Sequence, residues 1–150
     1  MEERGYKVTM LLADSAQAVN GKLYILGGGW SITGPGPAQM ALAIKIEVPW
    51  TEANIRHTLE LKLINEDGHP VMAPTITGDR PLELSMQFET GRPPGLKAGT
   101  PLDVALAINL APLPLELGSR FIWHCFIDGQ TTEDWQVSFS TRPSQQPQSS

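Results

Sequence analysis

One cysteine in 150 residues excludes an intrachain disulfide framework and any zinc or iron–sulfur site built on several thiolates. Charge is also scarce: charged residues make up 18% of the chain, below the roughly one quarter of an average globular sequence. Eleven basic residues against sixteen acidic ones leave a net charge of −5, the wrong sign for non-specific binding to nucleic acid or to an anionic membrane. Long apolar runs are missing as well. The most apolar stretch, residues 102–117, is interrupted by Asp103, Asn109, Pro112, Pro114 and Glu116 and falls short of the ~20 apolar residues of a membrane span. The start, Met1-Glu2-Glu3-Arg4-Gly5, carries acids where a secretion signal needs bases, and there is no Asn-x-Ser/Thr acceptor. These absences lead to the expectation of a soluble, cytoplasmic protein with neither nucleic acid nor membrane as partner.

What is present is alternation. Hydrophobic residues reach 41%, and 14 glycines and 13 prolines punctuate the chain, so it is turn-rich yet able to bury a core. Met40, Leu42, Ile44, Ile46 and Val48 share one phase, with Ala41, Ala43, Lys45 and Glu47 on the other, and Pro49 ends the run. Leu59, Leu61 and Leu63 repeat the pattern up to Asp67-Gly68, which supplies the positive φ angles of a hairpin, with Val71 and Met72 starting a short return strand. Leu84, Met86 and Phe88 form another strand. A Pro/Gly-rich loop over 91–101 leads to Leu102, Val104, Leu106, Ile108 and Leu110, whose opposite phase contains alanines and so suggests a partly covered second face. Phe121, Trp123, Cys125 and Ile127 run to an Asp128-Gly129 turn, and Trp135, Val137 and Phe139 resume the alternation as a closing hairpin. At the beginning, Val8, Met10 and Leu12 form one strand and residues 23–26 another, joined through Asn20-Gly21, with one helical turn expected at Asp14-Ser15-Ala16-Gln17 from its capping pattern.

Eight or nine short strands predict an all-β fold, an antiparallel two-sheet sandwich, with a closed or partly open barrel as the alternative. Residues 1–142 are expected to form a single domain and 143–150 a flexible Ser/Gln/Pro tail.

No catalytic constellation stands out. Gly27-Gly28-Gly29 lacks the lysine and helix of a phosphate loop and reads as a bulge or sharp crossing. His124 and Cys125 are adjacent, so on a strand their side chains point to opposite faces and cannot form a dyad. His57 and His69, twelve positions apart across the expected hairpin, lack metal-ligand spacing. The acidic loops, Glu66 and Asp67 in one and Asp128, Glu133 and Asp134 in the other, lack the dense Asp-x-Asp pattern of a calcium site and suit turns. Neither a metal nor another cofactor is expected. Trp123 and Trp135 follow the core phase. Trp30 and Trp50 sit beside turn-forming prolines and glycines and are the candidate binding residues, Trp50 also serving as a lid on the core.

The runs from Lys7 to Asp14 and from Asn20 through Gly27-Gly28-Gly29-Trp30, with the late Asp128-Gly129 hairpin, resemble a family of small, uncharacterised bacterial proteins of actinobacterial type. The resemblance spans most of the chain and implies a compact β domain, with no chemistry to carry over. The reading that follows is a non-enzymatic binding or assembly module acting on a protein partner or by self-association, with no catalytic residues. Its alternatives are a decoration or structural subunit of a phage virion or other particle, and a hydrolase of carbohydrate or acyl substrates built on converging acidic side chains or on a serine and a histidine.

Overall fold

The computed structural model describes residues 5–144; the first four residues, and residues 145–150 of the expected tail, lie outside that range. The strands are β1 (Lys7–Val19), β2 (Lys22–Gly28), β3 (Ile32–Thr33), β4 (Ala38–Val48), β5 (His57–Asn65), β6 (Met72–Thr75), β7 (Gly78–Pro81), β8 (Glu83–Phe88), β9 (Leu102–Leu113), β10 (Arg120–Ile127) and β11 (Gln136–Thr141), with one 3-10 turn, Trp50–Glu52, between β4 and β5. They form a four-stranded sheet in the order β2-β1-β4-β9, a five-stranded sheet in the order β3-β11-β10-β5-β8, and a separate β6–β7 pair. The fold is therefore all-β with two principal sheets, and none of the three sheets closes into a barrel. Pairing is antiparallel throughout except for the short β3, which runs parallel to β11. No helix among the described residues is long and apolar enough to cross a membrane.

The core lies where the two alternating faces meet. Leu42, Ile44, Ile46 and Val48 from β4, Leu59, Leu61 and Leu63 from β5, and Trp123 and Phe139 from the closing hairpin are buried in one cluster, as their shared phases require. Trp123 donates its indole N–H to the Met40 sulfur at 3.3 Å, and Cys125 is fully buried beside it in sequence phase. Burial pushes the Cys125 thiol up to about 12. His124 points away from that core and stacks obliquely on Phe126.

The expected helical turn at residues 14–17 is instead part of β1. That strand pairs with β4 through Ala13 and with β2 from Ala13 onward, so its second half belongs to a hairpin, and the backbone hydrogen bonds of that hairpin outweigh the local capping signal. Gly27 is left-handed at φ 58 and sits against Asp14, where a Cβ would collide with the carboxylate. The β1–β2 register runs unshifted past this point, with no bulge, and the hairpin lies over the outer face of the sheet. There Leu23 and Ile25 cover Ala13, Ala16, Ala41 and Ala43, and Asn109 grips the crossing strand by accepting from Ala16 N–H at 3.1 Å and donating to Ala16 O at 2.8 Å. The alanines of β4 are small because a second layer lies on them.

The return strand after Asp67-Gly68 also differs from expectation. Only Gly68 of that pair has positive φ, and Asn65 closes the turn with its own side chain by accepting from the Asp67 and His69 N–H groups. Val71 N–H reaches Leu63 O at 3.0 Å, after which the chain leaves β5 to form the β6–β7 arm. Pro70 and Pro74 lack the N–H groups a continuing ladder would need, and β8 takes the place beside β5.

Candidate functional site

One end of the sandwich opens into a cleft of about 1050 Å³. Its walls come from the segment entering β1 (Tyr6, Lys7), the end of β4 and the 3-10 turn (Glu47, Trp50, Glu52), the loop before β9, and Gln130 from the β10–β11 turn. Pro49 stops β4 and starts the turn, whose first closing bond runs from Glu52 N–H to Pro49 O at 2.9 Å. Trp50 is thereby thrown out of the strand to the rim, half-buried against the core. Arg92, from the loop after β8, lies over its ring at 4.5 Å and donates to its carbonyl oxygen at 2.7 Å, so the indole is held by a cation–π contact and a hydrogen bond together. Lys7 and Glu47 face each other across the rim at 3.7 Å.

Directly beneath lies His57, 2% exposed. Its position at the head of β5 puts it in the inward phase of Leu59, Leu61 and Leu63, so the strand buries it. The imidazole packs between Phe88 at 5.3 Å and Tyr6 at 5.6 Å. Nδ1 lies 2.7 Å from Asp128 Oδ2, and Nε2 lies 3.0 Å from the Glu52 carbonyl oxygen. Both partners are acceptors, so an imidazolium, with an N–H on each nitrogen, satisfies the two contacts together. The Glu52 carboxylate adds a distant attraction at 3.9 Å. Burial by itself lowers the imidazole's pKa, but the bonds to the Glu52 carbonyl and to Asp128, with the attraction of both carboxylates, outweigh it and leave the value above the ordinary 6.5.

Asp128 is placed by its turn. Asp128 and Gly129 take φ 50 and 80, as a type I′ hairpin requires, and Asp128 N–H donates to Thr58 O while Thr58 N–H donates to Asp128 Oδ1, each at 2.9 Å. Partial burial pulls the carboxyl pKa up, but the Thr58 N–H and the His57 ring pull it further down, below the usual carboxylate range. Tyr6 is the last member: burial, then the charges of Glu52 and Asp128, raise its phenol pKa, and its hydroxyl lies 3.2 Å from Nδ1 and 3.3 Å from Nε2.

The two candidate tryptophans separate. Trp50 lines the cleft. Trp30 instead packs edge-on against Phe139 at 6.2 Å, with its indole N–H buried and unpartnered. His57 and His69 do not meet: His57 begins the nine-residue β5 and His69 lies in the turn beyond its far end, its carbonyl accepting from Asn65 N–H, roughly 26 Å of strand away. Asp128 is engaged by His57 and Thr58, and no group of three or more metal-ligating side chains converges among the described residues. Sequence reasoning missed Tyr6, Glu52 and Gln130, and weighed His57 and Asp128 only as metal ligands, not as partners of each other. The available signal was a histidine in the buried phase of a strand, which must find partners.

A family model described as a family of unknown function, DUF6941, matches residues 8–139. No curated protein and no solved structure matches the chain.

Proposed function

The chain belongs to the DUF6941 family, whose function is unknown, and we propose that it is a non-enzymatic binding module whose ligand or partner enters the cleft beside Trp50. The observation that carries this reading is the placement of the His57 ring beneath the cleft. Both nitrogens of His57 face internal acceptors and the ring is buried, so it braces the wall and is not placed to act on a bound molecule as a general base. Around it, a half-buried aromatic held by Arg92, the carboxylates of Glu47 and Glu52 and the amide of Gln130 form an open cleft with a few convergent polar groups, the usual composition of a recognition site. The acidic balance of the chain argues against nucleic acid and anionic membrane as the occupant.

The test is a panel of soluble oligosaccharides and of basic, acidic and proline-rich peptides, followed by the indole and amide NMR signals of the whole protein. Saturable shifts confined to Trp50, Thr51, Glu52 and Gln130, and lost in Trp50→Ala, are expected. The hydrolase reading makes a different demand of the same cleft, since Glu47 and Glu52 both line it. Turnover of nitrophenyl glycosides or esters that Glu47→Gln or Glu52→Gln abolishes would establish that reading and overturn the non-enzymatic one.

An assembly role, including that of a particle subunit, has its own supporting observation. The β6–β7 arm is exposed along nearly its whole length, with Ile76 fully exposed at its tip and Met72 at 50%. A two-stranded ribbon with both faces in water is marginal by itself. Light scattering across a concentration series, comparing wild type with Ile76→Asp, distinguishes this role: a mass that rises with concentration and falls in the variant supports assembly through the arm.

A further inference from the structure

Five elements converge on His57, and the titratable or charged groups they present to it are few. The segment before β1 presents Tyr6, the 3-10 turn presents Glu52, and the β10–β11 turn presents Asp128; β8 presents only Phe88, and β5 itself adds no charge beside the ring. The hydrogen bonds can therefore be counted in each protonation state. An imidazolium has two N–H donors and meets two acceptors, the Asp128 carboxylate at 2.7 Å and the Glu52 carbonyl at 3.0 Å. A neutral ring has one donor. The short bond to the ionised carboxylate is the stronger of the two, so the remaining proton stays on Nδ1. The Nε2 lone pair then faces the carbonyl lone pairs of Glu52 at the same 3.0 Å, a repulsive contact. A substitute donor is close by: the Tyr6 hydroxyl lies 3.2 Å from Nδ1 and 3.3 Å from Nε2, so a small shift toward Nε2 lets it donate there.

We propose that His57 is a two-position latch on the cleft wall: protonated, its Nε2–H holds the Glu52 carbonyl and with it the Trp50–Glu52 turn; neutral, Nε2 accepts from Tyr6 and the turn is released. Trp50 and the Glu52 side chain ride on that turn, so the cleft is ordered for binding in the protonated state and loosened as pH rises through the His57 titration. Resting on the cleft being the binding site, this adds how that site is regulated. The turn is short enough for one bond to matter. Besides the latch it is held by Glu52 N–H to Pro49 O, by Ala53 N–H to Trp50 O at 3.3 Å, and by Arg92. Tyr6 lines the cleft as well, so its change of partner alters the opposite wall at the same time.

The experiment is a pH titration of the full chain by NMR, reading the ring nitrogens of His57 together with the Trp50 indole signal and the hydrogen exchange of the Glu52 and Ala53 amides, corrected for intrinsic rate. At pH 6 both ring nitrogens are expected to be protonated. As pH rises they titrate in one step above 6.5, and with the same midpoint the Trp50 signal shifts and protection at Glu52 and Ala53 falls several-fold. Asp128→Asn keeps an oxygen for Thr58 and an amide suited to the turn, and should move the midpoint to lower pH. Tyr6→Phe removes the substitute donor from the neutral state and should move it higher, a displacement that a merely structural histidine would not show. A ring already neutral at pH 6, or a titration that leaves the Trp50–Ala53 signals unchanged, would overturn the latch. Because no ligand enters this experiment, its failure is distinct from that of the binding reading: a working latch beneath a cleft that takes no ligand would sink only the latter.

Discussion

Asp128 sits in a turn that any Asp-Gly pair would make, yet its carboxylate closes the His57 network 71 positions away in sequence. Two linked titrations follow from this pair. A pKa raised on folding means the folded state binds its proton more tightly, so the contribution of His57 is fully present below the unfolded value of 6.5 and is lost as pH climbs through the folded one. Asp128, with its pKa lowered on folding, contributes above 3.8 and ceases to do so as pH falls through its folded value. The pair is therefore worth most between those limits. Asp128→Asn should cost about 1–2 kcal/mol there, the low side for a charged hydrogen bond because the carboxylate is 48% exposed. The cost should shrink as pH rises through the His57 titration, measured by urea unfolding at a series of pH values; a pH-independent loss would contradict the pairing. The tryptophans give a second contrast. Trp30→Phe discards an unsatisfied buried N–H whose burial costs about 1–3 kcal/mol, so stability should stay within about 1 kcal/mol of wild type. Trp123→Phe loses the bond to Met40 in a fully buried site and should cost about 2 kcal/mol or more, transfer and cavity terms included. Cys125 should resist thiol reagents in the folded protein and react only in denaturant, since burial holds its thiol near 12.

At the scale of elements, the strands of the core were legible from period two alone, because each buried face repeats a single residue class over five or more positions. The β9 pattern, with Ala105 and Ala107 opposite its apolar face, pointed to a partly covered second face, and Ala107 packs against the second cluster. What covers it was not legible. The fold-over of β1–β2 depends on Asp14 meeting Gly27 and on Asn109 reaching Ala16, contacts between positions far apart in sequence that no local pattern records. For the same reason a capping signal at residues 14–17 pointed to a helical turn where the hairpin won. Ala43→Leu should push that second layer off, costing about 1–3 kcal/mol as an overpacked site and raising hydrogen exchange at residues 14–18 while leaving β10 protected. Unchanged exchange in the hairpin would show that it does not rest on Ala43. Trp50 was legible as a candidate because Pro49 ends a strand in its own phase. The rest of the site was not, since Tyr6, Glu52, His57 and Asp128 come from four separate segments joined only by topology.

At the scale of the whole molecule, the two proposed contact regions, the cleft and the β6–β7 arm, lie at opposite extremes of polarity. The cleft offers charge and aromatic surface on a wall braced by a half-buried His57–Asp128 pair, whereas the β6–β7 arm offers an isolated apolar tip on a ribbon that packs on little else. Ile76→Asp should leave unfolding stability within about 0.5 kcal/mol of wild type, as expected of a fully exposed site, so any effect on mass or binding would report contact with a partner. The decisive measurement compares the two locations directly, by site-specific photo-crosslinking from Thr51 in the cleft and from Ile76 on the arm, using the full chain in the cells that make it. The prediction is a discrete adduct from Thr51 that disappears when Trp50→Ala is added, with none from Ile76. An adduct from Ile76 alone would place recognition on the arm and contradict the assignment of the cleft.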